Sequence, residues 1–385
     1  MEFISRFFHN PAVSYFLFGP RGTGKSTFLK HAYRNALYVD LLSPDVFRMY
    51  SARPERLKDI IAGHADQPIV IIDEIQKIPD LLDVVHQLLE SRKDLQFILT
   101  GSSSRKLKRS GVDLLAGRAL FKTMHPFMAS ELQRDFHLDQ ALHTGLVPVV
   151  AGSTVPRETL NAYIALYLRE EVQMEGFVRK IGDFSRFLET MSFSQGSVLN
   201  LADIARECQV GRKTVEGYLS VLEDLLLSFT LPVFSRRAKR KLTVHPKFYF
   251  FDVGVFRALR PSGPLDAPSE IDGAALETLV AQHLRAWNDY GGRRNTLHFW
   301  RTKTGREVDF VVYGEDGIYA VEVKNSQTIR PNDVKNLRAF KEDYPQAELL
   351  LLYRGSERLK RDDVLCMPCC EFLLRLVPGK SFPEI

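Results

Sequence analysis

Short apolar runs alternate with helical runs over the first part of the chain. The apolar runs cover residues 13–18, 36–41, 68–72 and 95–100. Apolar runs of this length, separated by helical segments, are typical of buried strands in a parallel sheet. The pattern therefore predicts an α/β fold in which helices cover both faces of a parallel sheet.

The pattern changes twice further along the chain. Residues 157–174 and 183–193 carry apolar residues at intervals of three and four, which predicts helices that form a lid. Beyond residue 250 a helix at 274–287 precedes strand-like runs, and the last of these covers residues 364–376. We therefore divide the chain into three domains, residues 1–155, 156–250 and 251–385.

The loop after the first apolar run carries the first candidate chemistry. Its sequence GPRGTGKS fits the phosphate-binding pattern G-x-x-x-x-G-K-[ST] in full. Glycines allow positive φ angles there, so that successive N–H groups can cradle phosphate oxygens at a helix N-terminus. Lys25 would reach the β and γ phosphates, and the Ser26 hydroxyl would bind magnesium. The pattern predicts ATP and Mg²⁺ as cofactors, held by Gly19, Gly22, Thr23, Gly24, Lys25, Ser26 and Thr27.

Two adjacent carboxylates follow the third apolar run. Asp73, at the end of this strand, would hold magnesium through water, and Glu74 would polarise the attacking water as general base. The alternative is that both carboxylates cap a helix at residues 80–90, because carboxylates favour helix N-termini. The complete phosphate-binding loop upstream favours the catalytic interpretation.

Serines and arginines supply further candidates for the ATP site. The fourth apolar run leads into GSSS, where Ser102 or Ser103 would lie between the two phosphate-site elements and sense the γ-phosphate. A serine-rich turn is the alternative. Arg118 and Arg169 are candidates for the planar guanidinium that stabilises a transferring phosphoryl group. Such an arginine can act from a neighbouring subunit, which would require a homo-oligomer.

The segments GPRGTGKS, VIIDEIQKIPDLL, LTGSSS and LAGR, in this order, resemble the bacterial and archaeal AAA-type ATPases that carry a C-terminal half formerly without an assigned function. The likeness extends over nearly the whole chain. It implies a P-loop AAA-type ATPase domain over residues 1–155, with ATP hydrolysis as its activity.

A helix, a turn and a second helix follow at residues 200–208, 209–211 and 212–226, which is the arrangement of a helix-turn-helix. The second helix begins with Arg212 and Lys213, at the end that normally meets a DNA groove. A basic segment then stands in the place of a wing and would bind phosphates without reading sequence: Arg236, Arg237, Lys239, Arg240 and Lys241. We therefore expect a winged helix and a DNA partner, with protein contacts or a solvated loop as alternatives.

A hairpin is predicted around the connection Gly-Glu-Asp-Gly at residues 314–317. A hairpin centred there places Asp309 opposite Glu322, with Cβ atoms about 5 Å apart, and puts Lys324 on the same face. Two facing carboxylates repel each other unless a positive charge lies between them. A divalent metal would supply that charge, with Glu277 on the preceding helix as a further ligand and Lys324 placed to orient or activate water.

Asp309, followed by Glu322-x-Lys324 and preceded by Glu277 on a helix, resembles the active site of PD-(D/E)xK nucleases, among them Holliday-junction resolvases and restriction endonucleases. Val308 stands where these enzymes often have proline. The resemblance implies an α/β restriction-endonuclease-like domain at the C-terminal end of the chain that cuts DNA with a metal.

Two alternatives to cutting stay open. The domain could hold DNA without cutting it, or Lys324 and Arg306 could merely neutralise the carboxylates. For the whole chain we therefore expect an ATP-hydrolysing protein that acts on DNA with a nuclease-like module. The alternatives are a DNA translocase or remodeller with an inactive nuclease fold, and an ATP switch that binds proteins.

Length, composition and charge limit the number of domains, the cellular location and the partners that we expect for the chain. A chain of 385 residues is too long for one ordinary core. No apolar stretch is long enough to span a bilayer and the N-terminus lacks a signal-peptide pattern, so we expect a cytoplasmic protein without a membrane partner. The formal net charge of +5 permits a nucleic-acid partner without requiring one. The C-x-x-C-C group at residues 366–370 is interpreted as buried small hydrophobic residues rather than as a zinc site.

Overall fold

A computed structural model of the chain describes residues 3–103, 115–168, 181–235, 245–264, 266–292 and 294–382. Several predicted functional residues lie outside these ranges: Arg169, Arg236, Arg237, Lys239, Arg240 and Lys241. The chain divides into two compact units. The P-loop unit comprises Phe8–His125 and Leu222–Leu227, and the second unit comprises Met1–Phe7, Pro126–Val221 and Ser228–Ile385.

The P-loop unit is built on a parallel sheet of five strands in the order β2-β3-β4-β1-β5. The strands are β1 Tyr15–Phe18, β2 Leu37–Asp40, β3 Ile69–Asp73, β4 Gln96–Gly101 and β5 Leu120–Thr123. The helices are α1 Lys25–Ala32, α2 Pro44–Ala52, α3 Arg56–Gly63 and α4 Leu81–Ser91, with short 3₁₀ turns at Ile75–Lys77 and Leu115–Gly117. The predicted parallel α/β sheet is confirmed for this unit.

The strand order fixes where the candidate ATP residues lie. Strand β4 lies between β1 and β3, and parallel pairing sets Phe18 beside Gly101 and Ile72 beside Leu99. The carboxyl ends of all three strands therefore meet at one edge of the sheet. Ligands of open parallel sheets bind at this edge. The prediction that the end of the fourth strand lies between the two phosphate-site elements is confirmed.

The second unit contains a mixed sheet of six strands in the order β12-β13-β11-β10-β9-β8, and a separate antiparallel pair, β6 with β7. The strands are β6 Ser228–Leu231, β7 Lys247–Phe250, β8 Asn295–Arg301, β9 Glu307–Gly314, β10 Gly317–Lys324, β11 Glu348–Tyr353, β12 Leu359–Arg361 and β13 Val364–Pro368. Strands β8, β9 and β10 are antiparallel neighbours, and β10, β11 and β13 run parallel.

The helices of the second unit surround these strands. They are α5 Ala129–Leu132, α6 Leu138–Thr144, α7 Pro148–Ala151, α8 Pro156–Ala162, α9 Ile181–Phe193, α10 Leu201–Cys208, α11 Arg212–Asp224, α12 Val253–Leu259, α13 Pro268–Tyr290, α14 Lys335–Asp343 and α15 Cys369–Arg375. Helix α11 crosses the boundary between the units at Val221. A π-helical turn, Tyr163–Leu168, follows α8. In the described ranges no helix is both long and apolar enough to cross a bilayer.

The hairpin of β9 and β10 has the predicted register. Tyr313 pairs with Ile318 and Val321 pairs with Phe310, so the next position outward sets Glu322 beside Asp309. The strands extend to Gly314 and Gly317 and leave a two-residue turn between them. Side chains at opposed positions share one face of a sheet. The geometric basis of the carboxylate prediction is therefore correct.

The prediction of a strand over residues 364–376 is wrong for its second half. Strand β13 ends at Pro368, and α15 begins at Cys369. Residues Cys369, Phe372 and Leu373 are buried, which is the spacing of a helix that packs one face on a core. Because the segment is largely apolar throughout, its sequence did not show the change from the two-residue period of a strand to the period of a helix. Cys369 is thus a core residue, and burial raises the pKa of its thiol to about 12.

Candidate functional site

The phosphate-binding loop runs from β1 into α1 with two glycines in left-handed conformations. The φ angles are +78° at Gly22 and +88° at Gly24, and helix α1 begins at the next residue, Lys25. Residues with a Cβ atom rarely adopt these angles. The side chain of Lys25 is buried, and its Nζ donates to the carbonyl oxygens of Gly19 at 2.7 Å and Pro20 at 3.2 Å. The predicted lysine therefore lies along the phosphate-binding loop, where it is expected to contact the β and γ phosphates.

The remaining predicted loop residues surround this lysine. Thr23 is buried, and its hydroxyl donates to the carbonyl oxygen of Pro20 at 2.7 Å. Ser26 and Thr27 lie in the first turn of α1. A Cβ atom at Gly19 would overlap the carbonyl oxygen of Met124, so glycine is required there by close packing. The structure thus brings together all seven predicted loop residues on one turn and one helix start.

Asp73 ends β3 at the same edge of the sheet and is fixed by two hydroxyl groups. Its Oδ2 accepts a hydrogen bond from the Tyr38 hydroxyl at 2.5 Å, and its Oδ1 accepts one from the Thr100 hydroxyl. The Tyr38 hydroxyl also lies within hydrogen-bonding reach of Ser26. Burial raises the pKa of Tyr38, so the phenol stays protonated and donates. One hydroxyl group therefore connects the two residues predicted to hold magnesium.

Glu74 has a strained backbone. Its φ of +63° places a non-glycine residue in the left-handed region, which is uncommon and often found at functional positions. Its N–H donates to Thr100 Oγ1 at 3.2 Å, and its carboxylate accepts from Gln76 Nε2 at 2.6 Å. Gln76 Nε2 also donates to Ser102 Oγ at 3.2 Å, while Gln76 Oε1 is buried with no partner among the described residues. The Glu74 carboxylate is thus oriented by Gln76, which in turn contacts Ser102 just beyond the end of β4.

The helix-capping alternative for the two carboxylates is wrong. Helix α4 begins at Leu81 with Asp80 at its N-cap, well beyond Asp73 and Glu74. Glu74 precedes only a single 3₁₀ turn, and its side chain makes no capping hydrogen bond there. The carboxylates therefore remain available to the phosphate site.

Arg118 does not complete the phosphate site of its own subunit. It precedes β5, which runs parallel to β1 with Leu120 beside Tyr15, so Arg118 lies at the amino edge of the sheet. Its guanidinium forms an ion pair with Glu90 near the end of α4. The phosphate-binding loop follows the opposite, carboxyl edge. A role for Arg118 across a subunit interface remains a prediction.

Sequence reasoning missed three residues of this site, namely Tyr38, Thr100 and Gln76. Tyr38 and Thr100 act on Asp73, which is distant in the sequence, so no local motif identifies them. Gln76 lies two residues after Glu74, but its contact with Ser102 joins segments that are far apart in the chain. A weak signal existed for Thr100, because it is the polar residue that ends an apolar strand beside the strand of Asp73.

A second cluster of charged groups lies in the second unit, around the side chain of Lys247. Lys247 opens β7 and is only 1% exposed. Its Nζ lies 3.0 Å from Glu277 Oε1, 2.6 Å from Glu307 Oε1 and 3.5 Å from Asp309 Oδ1. The three carboxylates come from α13 and β9. Glu277, predicted as a metal ligand on a helix, and Asp309 therefore do meet, but they meet around a lysine.

Glu322 and Lys324 form the other half of this cluster. Lys324 Nζ donates to Glu322 Oε1 at 2.6 Å, and Asp309 Oδ2 accepts from the N–H of Val323 at 2.9 Å. Burial, as the largest cause, raises the pKa of Glu322 to about 8 and that of Glu277 to about 7. Tyr249 donates to Glu277 Oε1 at 2.6 Å, and burial raises the pKa of this phenol well above its usual value.

Three of the predicted metal ligands, Glu277, Asp309 and Glu322, contact lysine ammonium groups in the described parts of the chain. No group of three or more histidine, cysteine, aspartate or glutamate side chains is arranged there to hold a metal ion. The physical reason at Glu277, Asp309 and Glu322 is that lysine ammonium groups supply the positive charge. The sequence argument required a cation between the carboxylates, and the described residues place lysine ammonium groups there; the divalent metal stays a prediction. Lys247 carried a signal, as a lysine at the start of the apolar run KFYFF.

The helix, turn and helix predicted upstream are present. Helix α10 begins after Asn200, whose side chain accepts from the N–H groups of Ala202 and Asp203, and α11 begins at Arg212. Arg212 and Lys213 are exposed, and Arg212 Nε donates to Glu216 at 3.0 Å. Strands β6 and β7 follow as an antiparallel pair. The winged helix and its DNA contact remain predictions, since the basic segment lies outside the described residues.

Comparisons with known proteins divide the chain into three matched ranges. Residues 12–133 match the family described as an AAA domain, and this range contains the phosphate-binding loop, Asp73, Glu74 and Ser102. Residues 135–266 and 272–372 match two domains of unknown function, DUF8612 and DUF4143. The chain is 26% identical over 368 residues to the uncharacterized proteins Mb2031c of Mycobacterium bovis and Rv2008c of Mycobacterium tuberculosis, covering 93% of this chain and 80% of each relative.

Two solved structures share limited similarity with the chain. AMPPCP-bound DnaA from Aquifex aeolicus is 14% identical with a TM-score of 0.30, over 55% of this chain and 82% of that one. Protein VC1899 from Vibrio cholerae is 12% identical with a TM-score of 0.22, over 95% and 96%. The AAA domain match, together with the geometry at the carboxyl edge of the sheet, supports a P-loop ATPase domain in the N-terminal part of the chain.

Proposed function

We propose that the protein binds ATP with magnesium and hydrolyses it at the carboxyl edge of the P-loop sheet. The observation that carries the proposal is the convergence of the phosphate-binding loop, Asp73 and Glu74 at this edge. Gly22 and Gly24 adopt the left-handed angles that direct N–H groups toward a phosphate, and Lys25 lies along the same loop.

The residues present fit a magnesium ion. Ser26 and Asp73 would hold it through hard oxygen ligands, and both side chains lie within hydrogen-bonding reach of the Tyr38 hydroxyl. Magnesium, when bound with ATP, neutralises charge on the phosphate oxygens. Thr100 and Tyr38 hold the Asp73 carboxylate in place from two sides. Lys25 binds the β and γ phosphates.

Glu74 is proposed as the general base of the reaction. Its carboxylate accepts a proton from the attacking water as the new oxygen–phosphorus bond forms. The bond between the γ-phosphorus and the bridging oxygen breaks at the same time, and ADP leaves with the electron pair. Gln76 orients the Glu74 carboxylate and connects it to Ser102, so the proposed sensor residue acts through Gln76.

Equilibrium binding of a fluorescent ATP analogue tests the first step of this proposal. Replacing Lys25 by alanine removes the ammonium that neutralises the β and γ phosphates, so we expect at least tenfold weaker binding in the presence of Mg²⁺. Lys93→Ala is the matched control, because Lys93 lies beyond the end of α4, where its Nζ donates to the carbonyl oxygen of Leu89. Equal affinities for wild type and Lys25→Ala would contradict the proposed site.

We further propose that the second unit holds DNA. The support is the helix, turn and helix with exposed Arg212 and Lys213 at the start of the second helix, followed by the basic sequence from residue 236 to residue 241. Cations bind the DNA backbone through release of counterions, without reading the bases. Strand cutting forms no part of this proposal, because lysines neutralise the carboxylates that the sequence assigned to a metal.

Salt-dependent DNA binding tests the role of the basic segment. The double variant Arg236→Gln, Arg237→Gln should weaken binding and reduce the slope of log K against log salt by about 1.8, since each lost phosphate contact contributes about 0.9. Lys335→Gln, Lys360→Gln removes two exposed lysines elsewhere in the second unit and is the matched control. If both double variants bind DNA like wild type while ATP binding persists, the alternative of an ATP switch that binds proteins is favoured.

A further inference from the structure

The buried charged cluster of the second unit contains its own cations. We propose that Lys247 is a permanent internal counter-ion that takes the place of a divalent metal, so that the cluster neither binds a metal nor cuts DNA. This inference concerns the second unit alone and does not depend on ATP hydrolysis.

The contacts of Lys247 leave little freedom for its ammonium group. An ammonium has three N–H donors, and three carboxylates lie within 3.5 Å of this one. Because the side chain is 1% exposed, the charge has no access to water as an alternative partner. A buried charge without partners is strongly unfavourable, so the lysine and its carboxylates hold one another in place. A metal ion among the same oxygens would face an ammonium group at close range.

The backbone around Lys247 is also fixed. Gln195 donates from Nε2 to Thr278 Oγ1 on α13 at 2.7 Å and accepts from the N–H of Phe250 on β7 at 3.0 Å. Thr278 is the residue next to Glu277, and Val198 forms a bridge with Lys247 itself. The strand that carries the lysine is therefore tied to the helix that carries its first carboxylate.

The other oxygens of the cluster are largely committed as well. Tyr249 donates to the same Glu277 oxygen as Lys247, the N–H of Val323 occupies Asp309 Oδ2, and Lys324 occupies one oxygen of Glu322. Glu322 Oε2 is a buried oxygen with no partner among the described residues. Magnesium is usually held by one or two carboxylates and completes its coordination with waters, whereas this oxygen is shielded from water and belongs to a carboxylate already paired with the Lys324 ammonium.

The charges of the cluster nearly cancel without a metal. Arg301 lies 3.4 Å from Glu307 Oε2 and adds a third cation to the two lysines. Three cations therefore face four carboxylates: Lys247, Lys324 and Arg301 against Glu277, Glu307, Asp309 and Glu322. A divalent ion added to this set would leave an excess of positive charge. The side chains of the cluster thus nearly balance one another's charges without a metal ion.

Binding of Mn²⁺ to nucleotide-free protein, measured by electron paramagnetic resonance, tests the inference. The wild type and Asp309→Asn should give the same binding curve. Lys247→Met removes the ammonium and keeps the length of the side chain, so it should gain one Mn²⁺ site at least tenfold tighter than any in the wild type. The double variant Lys247→Met, Asp309→Asn should lose this site, and Lys335→Met, which removes an exposed lysine, should not gain one.

Two results would overturn the inference. The first is Mn²⁺ binding by the wild type that is lost in Asp309→Asn, or metal-dependent cutting of DNA that is lost in the same variant. The second is a folded Lys247→Met that gains no Mn²⁺ site. If circular dichroism shows that Lys247→Met does not fold, the comparison of wild type with Asp309→Asn decides by itself, because equal curves support the inference and different curves refute it. Either result leaves the ATPase proposal standing.

Discussion

Replacing Glu74 by glutamine will leave ATP binding within about threefold of wild type and will slow hydrolysis by a factor of about 10² to 10⁴, the usual contribution of a general base. Glutamine has the size of glutamate and its amide oxygen can still accept from Gln76 Nε2, so the local structure is retained. It cannot accept the proton of the attacking water. The left-handed backbone at Glu74 is already strained in wild type and is the same in the variant.

Phosphate release and binding of a fluorescent ATP analogue, measured on the same preparation, check this expectation. Glu55→Gln is the matched control, because Glu55 is an exposed carboxylate that precedes α3. Hydrolysis by Glu74→Gln within fivefold of wild type would show that another group takes the proton. Loss of ATP binding in this variant would show instead that Glu74 has a structural role at the site.

Replacing Gly145 by alanine will lower the free energy of unfolding of the second unit by about 3 kcal/mol, since left-handed strain and a lost buried hydrogen bond each cost on the order of 1–3 kcal/mol. Gly145 has a φ of +75°, and a Cβ atom there would overlap Asp252 Oδ1 and lie 2.8 Å from the N–H of Gly254. Asp252 is fully buried and caps α12 through Gly254 and Val255, while its other oxygen accepts from Leu146 at 2.8 Å. Displacing this carboxylate leaves buried N–H groups without a partner.

Urea unfolding followed by tryptophan fluorescence measures this effect. The chain has two tryptophans, Trp287 and Trp300, and both lie in the second unit. Gly273→Ala is the control, because Gly273 lies inside α13 and a Cβ atom there meets nothing within 4 Å. Alanine should stabilise that helix by up to about 1 kcal/mol. An unfolding midpoint of Gly145→Ala equal to that of wild type would contradict the packing described around Asp252.

Local patterns in the sequence were sufficient for the elements that carry the ATP site. The loop of Gly22, Gly24 and Lys25 could be predicted because its function requires residue types at fixed spacing within one turn. The register that places Asp309 beside Glu322 could be predicted because a short hairpin connection fixes the pairing of both strands. In each case the residues that matter are close together in the chain.

Contacts between distant segments could not be predicted in this way. Lys247 reaches Glu277 and Asp309 only after β7, α13 and β9 pack together, and a sequence pattern does not specify that packing. Tyr38 reaches Asp73 for the same reason, across two neighbouring strands. The position of Arg118 could have been inferred, since a residue that precedes a parallel strand lies at the amino edge, away from a loop that follows its neighbour. The sequence thus predicted which residues belong to a site better than it predicted which residues contact each other.

ATP hydrolysis by the P-loop unit, at the site of Lys25 and Glu74, is the activity that we propose for this protein. Steady-state release of phosphate from ATP with Mg²⁺, by the intact chain and by Lys25→Ala, tests it most directly. We expect measurable turnover by wild type that falls at least about 100-fold in the variant, because the variant loses the charge that the transferring phosphoryl group requires. Turnover that survives in Lys25→Ala, or a wild type that binds ATP without releasing phosphate, would contradict it.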